Sequence, residues 1–196
     1  MRSADLLLET IRCEGGKLHH LEYHQKRVDR SRKALFGLED TLDLASLPKP
    51  PDEKLYRCRV RYAHKIKSVE YLPYTPKEIR TLKIVPSEID YRYKFADRSQ
   101  LESLLMENPD ADDLIIEKEG LITDTTIANI AFFNGREWIT PREPLLEGTM
   151  RAYLIDRGFL RQEDIPGDLL ENFEKVALMN AMLGFKIIND IKILKS

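Results

Sequence analysis

Cysteine is scarce in this 196-residue chain, with only Cys13 and Cys58. They form neither a CxxC pair nor a zinc-type spacing, which points to a reducing compartment and to thiols with no framework role. No apolar run approaches the roughly 20 residues that cross a bilayer, so no membrane span is expected. The opening MRSADLLLETIR meets an acid after four residues and has no usable apolar core, which argues against a secretory signal. Excess charge of either sign is also missing: 31 Lys+Arg stand against 33 Asp+Glu, a formal net charge of -2. That balance argues against a protein whose main business is binding nucleic-acid phosphates. Repeats and low-complexity tracts are absent. The chain is instead 42% hydrophobic and 33% charged, over a length that builds a core without disulfide or metal staples. A cytoplasmic globular protein is expected, with neither membrane nor nucleic acid as partner.

Hydrophobic periodicity gives the outline. Leu6 to Arg12 reads as a strand, and Glu14-Gly15-Gly16-Lys17 as its hairpin turn. A helix is predicted from about His20 to Phe36, where Leu21, Val28 and Leu35 recur every seven residues with His24 and Ser31 between them, and Gly37 closes it. After a proline-rich loop at 47–52 come strands at 56–62, 68–74 and 81–85. Residues 86–94 look irregular, and Ser99 with Glu102 has the form of a capping box opening a helix to about Met106. Further strands are predicted at 114–116 and 121–123 around a Lys118-Glu119-Gly120 turn, and at 130–133 and 137–140 around Asn134-Gly135. A helix opens at Gly148-Thr149 and ends near Gly158, and late strands are expected at 176–179 and 186–194. The fold class expected is α/β, of the α+β kind: two small lobes of mixed or antiparallel sheet plus helices, at 1–85 and 94–196, joined through 86–93.

Four places offer chemistry, each beside a plainer reading. Gly148-Thr149 at a helix start turns backbone N–H groups and the positive end of the helix dipole toward an anion; alone, an ordinary Thr cap explains it better. Arg27 lies in the basic run Lys26 to Lys33, most simply a solvated face, yet it adjoins the apolar stripe at Val28 and can turn inward to an anionic ligand. Lys94, between Tyr93 and Phe95, can lose its charge by desolvation and serve as an amine nucleophile or base; most lysines only snorkel at the surface. Asp124, in Ile122-Thr123-Asp124-Thr125-Thr126-Ile127-Ala128-Asn129-Ile130, is a turn residue or the partner of a protonated ring nitrogen. His20 and His24 stand at metal-binding i,i+4 spacing, but no third ligand accompanies them and no metal is expected.

Taken in order, these places resemble the class IV aminotransferase family, the fold-type IV pyridoxal-phosphate enzymes. Glu9-Thr10-Ile11-Arg12 and Leu21-Glu22-Tyr23-His24-Gln25-Lys26-Arg27 look like the family's first block, where an Arg three residues after a His contacts the cofactor phosphate. Lys94, followed by Arg98 and a Leu-rich helix, resembles the block of the cofactor-bearing lysine. Asp124 with Ala128-Asn129-Ile130 resembles the block whose acid pairs with the pyridine nitrogen. Thr140-Pro141 and Leu146-Glu147-Gly148-Thr149-Met150-Arg151 resemble the phosphate cup. The resemblance spans nearly the whole chain. It implies a D-amino-acid-aminotransferase-like fold, pyridoxal 5'-phosphate held between the lobes, a small-molecule amino substrate and a homodimer. It implies Lys94 as the catalytic lysine, and Arg27, Asp124, Leu146, Gly148, Thr149, Met150 and Asn180 as further cofactor contacts. Arg59, Arg61, Tyr62 and Ala128 are its candidates for the substrate. The family acid is usually Glu, so the shorter Asp124 implies a closer or water-bridged ring contact. The tyrosine that aminotransferases carry soon after the lysine is replaced near Ser99.

Lyase and aminotransferase chemistry share their early steps. Val176 to Gly184, with Asn180-Ala181, resembles the late strand and turn of 4-amino-4-deoxychorismate lyase more than its Thr-rich aminotransferase counterpart, although a strand-ending turn also explains it. The expected activity is formation of 4-aminobenzoate and pyruvate. Amino-acid transamination of the branched-chain or D-amino-acid type is the alternative. A non-catalytic protein binding an acidic partner through the basic helix at 26–33 is a more distant one.

Overall fold

The computed structural model describes residues 6–195. By their internal contacts they divide into two compact units, one of residues up to Pro76 plus Tyr93–Asp97, the other of Lys77–Arg92 and everything from Arg98 onward.

The first unit is one antiparallel sheet and one long helix. Strands β1 (Leu7–Glu14), β2 (Lys17–Leu18), β3 (Tyr56–Tyr62) and β4 (Ile66–Pro73) lie in the order β2-β1-β3-β4, with α1 (Leu21–Phe36) between β2 and β3 in sequence. Alternation along β1 and β3 sends Leu7, Ile11, Cys13, Cys58, Val60 and Tyr62 to one face, where they join Val28 of α1 in a core. Each fully buried aliphatic side chain there contributes about 1.5–3 kcal/mol. Helix α1 ends as its sequence predicts: Gly37 adopts a φ of 67°, and the N–H groups of Gly37 and Leu38 return to Lys33 O and Arg32 O. Its inward face differs from the heptad expectation. His24, Val28 and Ser31 of the predicted stripe are buried, but Leu35 is 37% exposed and Arg27 and Arg32 are buried in addition. Arg32 is held by Asp40 and by the carbonyls of Ala63 and His64, so the basic run is split between solvent and core.

The second unit holds two sheets. Strands β5 (Thr81–Pro86), β6 (Asp113–Lys118), β7 (Leu121–Thr125) and β13 (Lys192–Leu194) form β13-β5-β6-β7. Strands β8 (Asn129–Phe133), β9 (Trp138–Pro141), β10 (Leu160–Glu163), β11 (Lys175–Asn180) and β12 (Gly184–Ile188) form β10-β9-β8-β11-β12. One apolar core draws Leu82, Ile84 and Ile115 from the first sheet and Ile130, Phe132 and Leu178 from the second. Helix α2 (Ser99–Met106) precedes β6, and α3 (Thr149–Asp156) connects β9 to β10. Asn134-Gly135 makes the expected β8–β9 turn: Gly135 takes a φ of 88°, and Asn134 Oδ1 accepts from the N–H groups of Arg136 and Glu137.

Three sequence expectations change. The predicted strand at 186–194 is two strands in different sheets: β12 pairs with β11 and β13 runs parallel to β5, with Asp190 at a φ of 55° between them. Ser99 is the first residue of α2 and Arg98 is its N-cap, so Ser99 stands one residue beyond the position a capping box gives it. The two units also depart from the 1–85 and 94–196 division. Strand β5 belongs to the second unit because its hydrogen-bond partners are β6 and β13, and Lys94 belongs to the first because its segment is tied to β1. Among the described residues, no helix is long and apolar enough to cross a membrane.

Candidate active-site residues

In the first unit the pleat of β1 places Glu9 on the same face as Leu7 and Ile11, fully buried. A carboxylate in a core requires charged or hydrogen-bonding partners. Helix α1 supplies two, three residues apart and so on one face. Arg27 donates from Nε to Glu9 Oε1 at 2.8 Å and from a terminal nitrogen to Oε2 at 2.5 Å, and His24 Nδ1 lies 2.6 Å from Oε2. Burial alone would raise the Glu9 carboxyl, but Arg27 and His24 overcome it and bring it down to about 2. Burial also pushes the His24 imidazole down, against the pull of Glu9, and the charges of Arg27 and Lys94 push the same way as burial. Because an ionised carboxylate only accepts, the His24 proton sits on Nδ1. Lys94 itself is fixed through its backbone: its carbonyl accepts Leu8 N–H at 2.8 Å, and Ala96 N–H reaches Leu6 O at 2.7 Å. Arg27 and Lys94, 67 positions apart in sequence (94 − 27), thus belong to one unit and act on one imidazole.

In the second unit Asp124 and Asn129 grip one residue. Asp124 Oδ2 accepts Leu146 N–H at 2.8 Å, and Asn129 Nδ2 donates both to Asp124 Oδ1 at 2.7 Å and to Leu146 O at 2.8 Å. The pair holds both backbone groups of Leu146, two residues before the N-cap of α3. That cap is Gly148, and a Cβ built on it would lie 1.8 Å from Asn129 Oδ1. Glycine is needed there for close approach. Gly148 and the buried Thr149 open α3, whose first N–H groups point out of the helix end. The 124–129 turn is fixed from several directions: Arg98 donates to Thr126 O at 2.8 Å, Thr126 Oγ1 donates to the buried Asp113, and Asn180 Nδ2 donates to Ile127 O at 3.1 Å. Arg151, buried on α3, donates to Pro141 O at 2.7 Å and to Gln162 Oε1 at 3.0 Å. Its charge acts on Asp124.

Burial dominates at Asp124. It raises the carboxyl from an ordinary 3.8 to about 7, against the pull of Asn129, Leu146 N–H and Arg151. An acid whose folded value is raised contributes stability that is whole below its unfolded value and is lost as pH rises through the folded one. Wild-type protein without any ligand is therefore expected to lose stability relative to Asp124→Asn between about pH 4 and pH 7, by up to about 1.4 kcal/mol per pH unit. Urea unfolding at half-unit pH steps measures this, and parallel profiles for the two proteins would contradict it.

The remaining sequence candidates are distributed as follows. Met150 packs with Ala131, Leu160 and Met179, so only its backbone faces the helix end. Asn180 also makes the plainer strand-ending turn, its Oδ1 accepting Met182 N–H and Leu183 N–H, each at 2.9 Å. Ala128 is buried and closes a turn with Thr125. Arg59, Arg61 and Tyr62 do not converge. Alternation puts Arg59 and Arg61 on the sheet face away from the α1 core, with Arg61 paired to Glu70 at 3.1 Å, while Tyr62 is buried on the other side, where burial pushes its hydroxyl strongly up. His24 turns to Glu9, and His20 is the α1 N-cap. Sequence reasoning gave no role to Glu9, Asn129 or Arg151. For Glu9 a signal existed: an acid on the apolar parity of a strand needs buried partners.

Comparison with known proteins places this geometry. The family model for amino-transferase class IV matches residues 96–191. An uncharacterized protein of Haemophilus influenzae is 33% identical over 184 residues, covering 91% of this chain and 98% of that protein. The chain belongs to the class IV aminotransferase family. Among solved structures, a provisionally named 4-amino-4-deoxychorismate lyase from Haemophilus somnus 129PT is 34% identical with a TM-score of 0.79, covering 91% of this chain and 97% of that one. A PLP-bound form of a hypothetical aminotransferase from Mycobacterium tuberculosis shares the fold at 14% identity and a TM-score of 0.74, covering 98% of this chain and 82% of that one. Class IV aminotransferases and their lyase relatives are mixed α/β proteins of this type, and the three sheets and three helices described here match them. The family match begins two residues after Lys94, whereas the two Haemophilus relatives cover 91% of the chain. Each unit taken by itself offers groups of the kind the family's cofactor, pyridoxal phosphate, requires: the second a buried carboxyl and a helix end kept open by the missing Cβ of Gly148, the first a buried arginine and a half-buried lysine.

Proposed function

We propose that this class IV aminotransferase relative is a pyridoxal-phosphate enzyme whose reaction is that of 4-amino-4-deoxychorismate lyase, releasing 4-aminobenzoate and pyruvate. The supporting observation is the 34% identity, over 91% of the chain, to the Haemophilus somnus protein that carries that name. In this reading Lys94 would hold the cofactor through Nζ and, released by the substrate amine, would take the proton from the amine-bearing carbon. The carbon–oxygen bond to the enolpyruvyl group would then break, and that proton would pass to the departing enolpyruvate, which leaves as pyruvate. Arg27 and the N–H groups at the Gly148-Thr149 helix end hold the phosphate, and Leu146, Met150 and Asn180 shape that cup. Asp124 takes the ring nitrogen. A cationic ring N–H held there would offset the penalty that burial places on its charge and would favour the ionised carboxylate. Bound pyridoxal phosphate supplies a sink for the electron pair left when a bond to the substrate α-carbon breaks. Arg59 and Arg61 remain candidates for a substrate carboxylate, and Ala128 a candidate for the ring face of the substrate. Tyr62 is assigned instead to the buried network around Glu9. A cytoplasmic homodimer is part of the same reading.

The test is product analysis. Purified protein with pyridoxal phosphate is expected to convert 4-amino-4-deoxychorismate to 4-aminobenzoate and pyruvate in equal amounts. Keto acid formed from common amino acids, with no 4-aminobenzoate, would replace the lyase by an aminotransferase. No cofactor uptake and neither product would overturn the enzyme reading in favour of a protein that binds through the basic face of α1.

A further inference from the structure

Glu9 has no assigned role, and it is the residue on which the buried side chains of His24 and Arg27 converge. It lies at 0% exposure, opposite Val60 in the β1–β3 pairing. Its two oxygens take three hydrogen bonds: Oε1 from Arg27 Nε, and Oε2 from an Arg27 terminal nitrogen and from His24 Nδ1. The Arg27 contacts use one edge of the planar guanidinium, the edge formed by Nε and one terminal nitrogen. Two parallel bonds on that edge fix both the position and the plane of the group, which a single bond does not. The third bond, to His24 one turn earlier on α1, fixes the carboxylate itself. The position and plane of the Arg27 guanidinium are thus set by Glu9.

We infer that Glu9 is a positioning residue for anion recognition: by gripping one edge of the Arg27 guanidinium it aims the other at a phosphate monoester, and so sets how strongly the protein distinguishes a phosphorylated ligand from its dephosphorylated counterpart. This rests on the reading of Arg27 as a phosphate contact. It makes a prediction opposite in sign to simple charge counting. Removing the negative charge of Glu9 takes away the carboxylate paired with Arg27, and by Coulomb's law alone a phosphate would then bind more tightly. If aim matters more than charge, it binds more weakly.

The experiment compares the dissociation constants of pyridoxal 5'-phosphate and pyridoxal, by equilibrium absorbance titration, for wild type, Glu9→Gln and Arg27→Lys. Wild type is expected to prefer the phosphorylated form by at least about 100-fold, as expected for charge-assisted contacts of this kind. Glu9→Gln is expected to reduce that preference at least tenfold with pyridoxal affinity unchanged, which a general loosening of the fold would not do. Arg27→Lys keeps the charge but has no planar edge to grip, so it is expected to lose the preference to a similar degree, and it serves where Glu9→Gln does not fold. An unchanged or increased preference in the folded Glu9→Gln protein overturns the positioning role, as does an unchanged preference in Arg27→Lys. A wild type that binds both ligands equally would overturn the phosphate reading of Arg27 as well, a result distinct from either of these.

Discussion

Lys94→Ala is expected to lower turnover by at least about 10³-fold while leaving the stability of the chain within about 0.5 kcal/mol of wild type. The two effects separate because the proposed function assigns the chemistry to the amine of Lys94, while the fold uses its carbonyl. Its carbonyl accepts the N–H of Leu8 and keeps the 93–97 segment along β1, a bond that alanine retains. Its positive charge opposes protonation of His24, in the same direction as the larger effect of burial. Loss of that charge is expected to move the His24 imidazole upward, a change that ring-proton NMR titration detects without any cofactor. Turnover within tenfold of wild type would remove Lys94 from the chemistry. A large fall in stability would mean that its side chain, and not its backbone, holds the segment.

Gly148→Ala is the second large effect, expected to destabilise the protein by about 3 kcal/mol. The backbone at Gly148 has a φ of −72° and a ψ of 146°, open to any residue, so strain is not the cause. The added Cβ would lie 1.8 Å from Asn129 Oδ1. Asn129 has to move, and with it go the bonds to Asp124 Oδ1 and Leu146 O. Overpacking a tight site costs about 1–3 kcal/mol, and each buried group left without its partner costs about 1–3 kcal/mol more. The cause is local, so it is testable by a double-mutant cycle. Shortening Asn129 to Ala removes the obstacle, and the double variant is expected to be less destabilised than the sum of the two single variants. Additivity in urea unfolding would contradict the mechanism, as would a Gly148→Ala protein of wild-type stability.

These two residues show how unevenly the protein can be read from its sequence. Element order, the α1 helix with its Gly37 end, and the Asn134-Gly135 turn are local matters of periodicity and turn chemistry, and all are visible in the chain. Gly148-Thr149 before a helix is visible for the same reason. The contact that makes Gly148 necessary is not, because Asn129 lies on β8, distant in sequence from the start of α3, and only the fold brings its amide over the glycine. Arg27 shows the reverse limit. The periodicity places Leu35 inward, yet α1 leaves it 37% exposed and buries Arg27 and Arg32, because Glu9, Asp40 and backbone carbonyls satisfy them. Hydrophobic pattern alone misplaces such a face, since partnered polar groups are buried without an apolar signature. The split of 186–194 into β12 and β13, and the assignment of β5 to the second unit, depend on parallel pairing with distant strands, which leaves no local mark. Strand β10, parallel to β9, is of the same kind.

The central claim is that Lys94 carries the cofactor, and chemical trapping tests it most directly. The protein is mixed with pyridoxal 5'-phosphate, reduced with borohydride, digested, and its peptides weighed, with Lys94→Ala treated alongside. A phosphopyridoxyl mass on the peptide containing Lys94, stoichiometric in wild type and missing from the variant, is the predicted result. Label spread over other lysines, or no label at all under saturating cofactor, would contradict it.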